Sequence, residues 1–251
     1  MLRNVSAAGP DAPAIGAPLD TSEPAPLVIA NGTLEGLKWF AAALMILDHI
    51  NRFFYGDRIA VLLWIGRIVM PIFGFILAYN LARPRALSRG VHQRMMFRLL
   101  LWGLAATPFY VILNAAFLPE YPWYPLNILF ELLLVVSLIY LLEKGNAVHG
   151  ALALLLFILG GALADYWWFG VVCCLSAWLY CRKPTLPRLG LWALGTLTLT
   201  VVNRNSGALF ALPVIFAATR LSLAIPRIKL AFYVLYPAHL AVILLAKKLW
   251  F

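Results

Sequence analysis

From Thr33 almost to the C-terminus, the chain alternates long apolar runs with short polar interruptions. The runs cover roughly 34–56, 59–82, 95–116, 126–142, 147–164, 167–181, 189–203, 206–220 and 228–248. Most hold about 15–23 residues, close to what a helix needs to cross about 30 Å of hydrocarbon. Lipid offers the backbone no hydrogen-bonding partner, so each crossing segment has to satisfy its own N–H and C=O groups as a helix. The pattern predicts an all-α, polytopic transmembrane helix bundle of about nine spans. Eight to ten are compatible with it, because the shorter runs can be tilted, re-entrant or merged. No internal repeat is evident.

The first 32 residues break this pattern. They carry five of the sixteen prolines among many Ala, Gly and Ser residues, too little apolar surface to fold alone. No compact apolar stretch follows Arg3, so the segment does not read as a signal peptide. It reads as a disordered cytoplasmic tail, residues 1–32, ahead of a transmembrane domain, residues 33–251.

Composition strengthens the membrane reading. Apolar residues make up 63% of the chain and charged residues 12%, and the mean hydropathy is +0.88. A water-soluble domain of this size leaves too much surface facing solvent to hide such a composition. The net charge of +10 would suit nucleic acid if the cations formed one stripe, but they are scattered between apolar runs. The partner they imply is the lipid bilayer, with no nucleic acid. Cys173, Cys174 and Cys181 lie in or beside one run and lack the paired spacing of a zinc site; they read as packing residues.

The cations also give an orientation, since basic loops stay on the cytoplasmic side. One set of connections carries Arg83, Arg85, Arg89 and Arg94, then Arg182, Lys183 and Arg188, then Arg220, Arg227 and Lys229. The alternate set, around Asp57, Glu120, Asp165 and Arg204, is poorer in cations and rich in Trp and Tyr, as expected of an interfacial belt. This arrangement predicts a multi-pass membrane protein with a cytoplasmic N-terminus. With an odd number of spans, Lys247 and Lys248 fall on the less basic side.

Ionisable groups inside a span are costly and mark function, and the first run holds most of them. At about 100° per residue, Glu35, Lys38, Asp48, His49 and Arg52 fall within an arc of roughly 140°. One reading is a structural ion-pair seam, with Lys38 and Arg52 snorkelling to opposite interfaces. Asp48 and His49 lie deeper in the run, and imidazole is the side chain best suited to moving protons near neutral pH.

LEGLK with His49 eleven positions after Lys38 resembles the first-helix pattern of membrane acyltransferase-3 proteins, a basic residue followed at that distance by a histidine. Lys38 stands where that pattern carries arginine, and Asp48 directly precedes the histidine. LKWFAAALMILDHINR, GRIVMPIFGFILAYNLAR, RLLLWGLAATPFY and YPAHL, in this order from about residue 34 to 242, resemble the TraX family of conjugative pilin N-acetylases. The resemblance implies an enzyme, an acetyl-CoA-dependent membrane N-acetyltransferase whose acceptor partner is a pilin subunit.

The residues allow a physical account of that chemistry. His49 is the candidate general base. Asp48 differs from it by about 100° in azimuth, so Asp48 either holds the acceptor amine or pairs with Arg67. Lys38 is about 16 Å from His49 along the helix axis, a separation that lets it grip the CoA moiety while the thioester reaches the histidine. A tunnel through the bundle follows from this.

Arg94 and Arg98, at i and i+4, present guanidinium groups suited to phosphate; the competing role is a positive-inside anchor. Arg67 lies four residues before Pro71, which removes a backbone donor and bends the helix. Arg67 then meets CoA or forms a salt bridge with Asp48 or Glu131. Asn127 and Glu131 form an inward polar stripe, a candidate substrate contact, with ion pairing as the competing role of Glu131. Tyr236 and His239 interrupt the last run, where His239 binds the acceptor, shuttles a proton or is structural.

His49 and His239 are too distant in sequence, and the carboxylates too irregularly spaced, to predict a metal site. Two other readings remain. A membrane acyltransferase could act on a sugar or small-molecule acceptor, since a general base serves either nucleophile. A non-catalytic pilus-assembly or transport protein would use the polar face of the first helix as a partner surface or pathway, although transporters often show paired repeats.

Overall fold

The computed structural model describes residues 27–250, and most of the segment read as a tail lies outside them. Leu27–Gly32, the end of that segment, belongs to the folded domain. Ile29 is buried and its N–H donates to the Tyr79 hydroxyl at 2.9 Å, and helix α1 (Asn31–Tyr55) already begins at Asn31.

Each predicted run is helical. After α1 come α2 (Ala60–Gly66) and α3 (Val69–Ala82), then α4 (Val91–Asn114), α5 (Ile128–Lys144), α6 (Ala147–Leu163) and α7 (Trp167–Arg182). Helices α8 (Leu186–Thr198) and α9 (Thr200–Asn203) together fill the seventh run. A short 3-10 helix (Gly207–Phe210) leads into α10 (Ala211–Thr219), and α11 (Ala231–Trp250) closes the chain. There is no strand among the described residues. Three stretches are long and apolar enough to cross a membrane by length and composition: Ala60–Ala82, Val91–Asn114 and Ala231–Leu249. The remaining helices are shorter or, like the 25-residue α1, interrupted by charge.

Local chemistry sets the breaks. Helix α1 stops at Gly56, whose φ of 59° is the left-handed conformation glycine adopts at no steric cost. The Asn51 side chain then clamps the turn into α2, accepting from the Ile59 N–H at 3.0 Å and donating to the Ile59 carbonyl at 3.1 Å. The second run breaks at Arg67 and Ile68. Pro71 has no N–H to offer the Arg67 carbonyl four residues back, and the chain kinks at that point, as the proline predicts.

Helix α3 is the most enclosed element and packs chiefly on α7. Gly74 lets the two helices approach closely, since a Cβ there would sit 2.6 Å from the Cys174 sulfur. Trp192 of α8 is fully buried, with its ring stacked on Phe75 and Tyr180. Helices α1 and α11 run in the same direction. Trp39, in the third turn of α1, meets Phe232 at the start of α11, and His49 meets His239 further along both helices. The two ends of the described chain therefore lie at opposite ends of the bundle.

Candidate functional site

A cavity of about 660 Å³ lies between α1, α3, α4, α5 and α11, within the usual range of small-molecule sites, about 300–1,000 Å³. At one end it is lined by seven cations: Lys38, Arg83, Arg89, Arg94, Arg98, Arg227 and Lys229. They come from α1, the α3–α4 connection, α4 and the segment leading into α11. The middle is apolar, with Met45, Phe73, Ile76, Leu77, Leu99 and Leu132 among its walls. The other end reaches Asp48, His49, Arg52, Tyr110, Asn114, Asp165 and Tyr166. The cavity thus runs along the polar face of the first helix.

Helical spacing produces the division on α1. Lys38, Asp48, His49 and Arg52 all face the cavity, with the lysine at the cationic end and the other three beyond the apolar middle. Glu35 lies outside the lining and neutralises part of the cationic end. It is buried, ion-paired with Lys38, and lies 3.9 Å from Arg227. Lys38 also sits over the Phe232 ring, 4.9 Å from its centroid.

Arg94 and Arg98 both line the cavity, as their i and i+4 spacing requires. Arg94 donates to the Arg89 carbonyl at 2.6 Å, which steadies the turn that presents both arginines. Arg83, Arg89, Arg227 and Lys229 look in sequence like markers of sidedness only, but the fold gathers them at the same mouth. A polyanion entering there meets cations from four separate segments.

At the deep end, His49 Nδ1 lies 2.6 Å from His239 Nε2, and the two rings are parallel to within 2°. His239 Nδ1 lies 3.0 Å from the Leu235 carbonyl, one turn back on α11. His239 is outside the lining, whereas Tyr236 lines the cavity, with its ring edge-on to His239 at 5.3 Å. Phe53 flanks His49 on the other side, with ring centroids 5.8 Å apart.

Asp48 faces Arg67, with 3.9 Å between Oδ2 and Nη1. This is an ion pair without a hydrogen bond, and Asp48 Oδ1 and Arg67 Nε have no partner. Arg67 is not part of the lining and stands behind Asp48. Of the two roles open to it, the salt bridge is the one the geometry contains.

Asn127 and Glu131 likewise stand outside the lining. Asn127 caps α5, accepting from the Leu129 N–H at 3.2 Å and donating to the Gly103 carbonyl at 3.1 Å and the Thr107 hydroxyl at 3.2 Å. Glu131 is fully buried and accepts from the Tyr166 N–H at 2.8 Å. Between them they brace the α4–α5 and α5–α7 contacts.

One cavity residue had no signal in the sequence beyond its place in a Trp-rich connection. Asp165, between α6 and α7, points to the deep end beside Tyr166. Burial holds its carboxyl up to about 6, against the opposing pull of Arg52 and Arg67. The nearby Asp48 charge acts in the same direction as burial.

A family model described as TraX protein matches residues 33–247. Among curated proteins, Protein TraX of Escherichia coli and of its strain K12 are each 32% identical over 138 residues. That match covers 55% of this chain and 51% of the relative, so the chain spans about half the length of the curated relatives it matches. No solved structure matches.

Proposed function

Since the chain belongs to the TraX family, we propose that it is an integral inner-membrane acetyltransferase, moving acetyl from acetyl-CoA to the N-terminal amine of a conjugative pilin. One observation carries this reading. A continuous cavity joins a seven-cation mouth, across an apolar middle, to His49, whose ring is hydrogen-bonded to His239 behind it.

Each part of that cavity suits one part of the donor. The nucleotide end of CoA is a polyanion, and guanidinium groups grip phosphate oxygens with paired hydrogen bonds. The pantetheine arm is slender and largely uncharged, which fits the apolar stretch. The distance of about 16 Å from Lys38 to His49 along α1 sets how far the arm has to reach. The cationic mouth faces the cytoplasm under the positive-inside rule, which is where the donor is made. The deep end then lies toward the opposite leaflet, where a membrane-embedded pilin would present its amino terminus.

In the transfer, the neutral amine attacks the acyl carbon of the thioester. An N–C bond forms, the C–S bond breaks, and CoA leaves as a thiolate. His49 takes the proton that the amine nitrogen gives up and hands it to the sulfur, leaving an amide and free CoA. Asp48 and Asp165 at the deep end supply negative charge to attract the protonated amine before it loses its first proton to water.

The test is full-length protein in liposomes, given acetyl-CoA and a synthetic peptide of the processed pilin N-terminus. Intact mass should show acetylation of the peptide amine that disappears with His49→Ala. Acetylation of a sugar or small amine in place of the peptide would change the acceptor and keep the enzyme. No transfer to any acceptor, with pilus components co-purifying, would replace the enzyme with the assembly reading.

A further inference from the structure

We infer that His239 is a positioning residue that fixes the tautomer of His49 and shares the proton His49 takes up. This deepens the acyltransfer reading and rests on it. The juxtaposition itself is a feature of the fold, whatever the acceptor.

Hydrogen-bond direction decides the arrangement. The Leu235 carbonyl can only accept, so His239 Nδ1, 3.0 Å away, carries a hydrogen. In a neutral His239 ring, Nε2 is then bare and acts as an acceptor. His49 Nδ1, 2.6 Å from that nitrogen, has to donate. Two neutral rings satisfy both contacts in this way alone, and the result leaves His49 Nε2 with a free lone pair.

The chain of hydrogen bonds runs from His49 Nδ1–H to His239 Nε2, and from His239 Nδ1–H to the Leu235 carbonyl. When His49 Nε2 accepts the amine proton, the Nδ1 proton can move along the 2.6 Å contact to His239 Nε2. The positive charge then rests on His239, and its Nδ1–H stays bonded to Leu235. The reverse shift restores His49 as the amine proton passes to the thiolate sulfur. No proton is gained or lost by the pair over the cycle. In this arrangement His239 does for His49 what an orienting carboxylate does in other base-catalysed acyl transfers, without placing a second charge in an apolar bundle. The Tyr236 ring against one edge of His239 and Phe53 beside His49 limit the rotation of both imidazoles.

The experiment uses full-length protein labelled with 15N-histidine. The chain has four histidines, so single substitutions assign each signal. The expected spectrum shows hydrogen on Nδ1 and none on Nε2 for both His49 and His239. Hydrogen on His49 Nε2, as a cationic His239 donating both ways would impose, overturns the proposal. This readout needs no activity and survives failure of the enzymatic reading.

Turnover supplies the second arm. His239→Leu removes the acceptor and should lower kcat by roughly 10- to 100-fold, part of the ~10²–10⁴ that general-base catalysis contributes, with the KM for acetyl-CoA nearly unchanged. His239→Gln, whose side-chain oxygen can accept from His49 Nδ1, should restore the bare Nε2 in the spectrum and a part of the lost rate. Equal kcat for wild type and His239→Leu overturns the relay. Should the leucine variant fail to fold, the spectrum of the unsubstituted protein and the glutamine variant still decide it. A wild type that transfers no acetyl group sinks the acyltransfer reading alone.

Discussion

His49 and His239 are 190 positions apart in the chain and 2.6 Å apart in the fold. Each lies on a helix whose N-terminal half borders the cationic mouth, and the two helices run side by side from there to the deep end of the cavity. The pair therefore fixes the register of α1 against α11 as well as the chemistry between them.

The first prediction concerns His49 itself. His49→Ala should reduce kcat for peptide acetylation by at least about 100-fold, the lower bound for losing a general base. The KM for acetyl-CoA should stay close to wild type, because the cations that hold the donor lie at the other end of the cavity. Steady-state kinetics on reconstituted protein separates the two parameters, and a raised KM with normal kcat would assign His49 to binding.

The mouth makes the opposite prediction. Arg98→Ala removes one charge from a group of seven, and the loss falls on donor affinity. The KM for acetyl-CoA should rise about threefold to tenfold, less than a desolvated charged hydrogen bond would give, because water screens the mouth. Arg227→Ala should act similarly, although Arg227 lies far from Arg98 in sequence. Raising the salt concentration should shrink both effects. An unchanged donor KM in both variants would separate the cations from donor binding.

Much of this arrangement is legible in the sequence, for one physical reason. Apolar runs of helical length admit little besides helices in lipid, so all nine runs reappear, even where Pro71 or Leu199 breaks one into two helices. The polar face of α1 follows from helical period alone. The sequence does not show which distant polar residues meet. Asn127 and Glu131 share a helical stripe, but one caps its own helix and the other is sealed against the Tyr166 N–H. Arg83, Arg89, Arg227 and Lys229 satisfy the positive-inside rule wherever they sit in their loops, and that rule hides their convergence. Asp165 gives no periodic signal because it lies in a three-residue connection between helices.

Asp165 carries a pH dependence that can be measured without substrate. Its carboxyl binds a proton more tightly in the fold, at about 6, than at the ordinary value of 3.8. The folded state thus gains from this group fully below about pH 3.8, and the gain declines as pH rises through about 6. Thermal unfolding in detergent, followed by circular dichroism, should show a falling apparent Tm between those values. Asp165→Asn should flatten that segment of the curve. A slope identical in both proteins would assign the dependence to other groups.

The α3–α7 contact offers a prediction about packing. A Cβ at Gly74 would lie 2.6 Å from the Cys174 sulfur, and that thiol is itself buried. Gly74→Ala therefore overfills a close helix crossing, at a cost of about 1–3 kcal/mol. For a domain of this size the apparent Tm should drop by roughly 2–10 °C. Cys174→Ala removes the opposing sulfur and leaves a small void, so alone it should also destabilise. Combining the two places the new methyl group in the space the sulfur vacated, and the double variant should be more stable than the sum of the single losses predicts. The coupling isolates the contact from any general intolerance of either site. Strict additivity across the cycle would show that α3 and α7 shift apart to admit the methyl group, and that Gly74 is not what sets their separation.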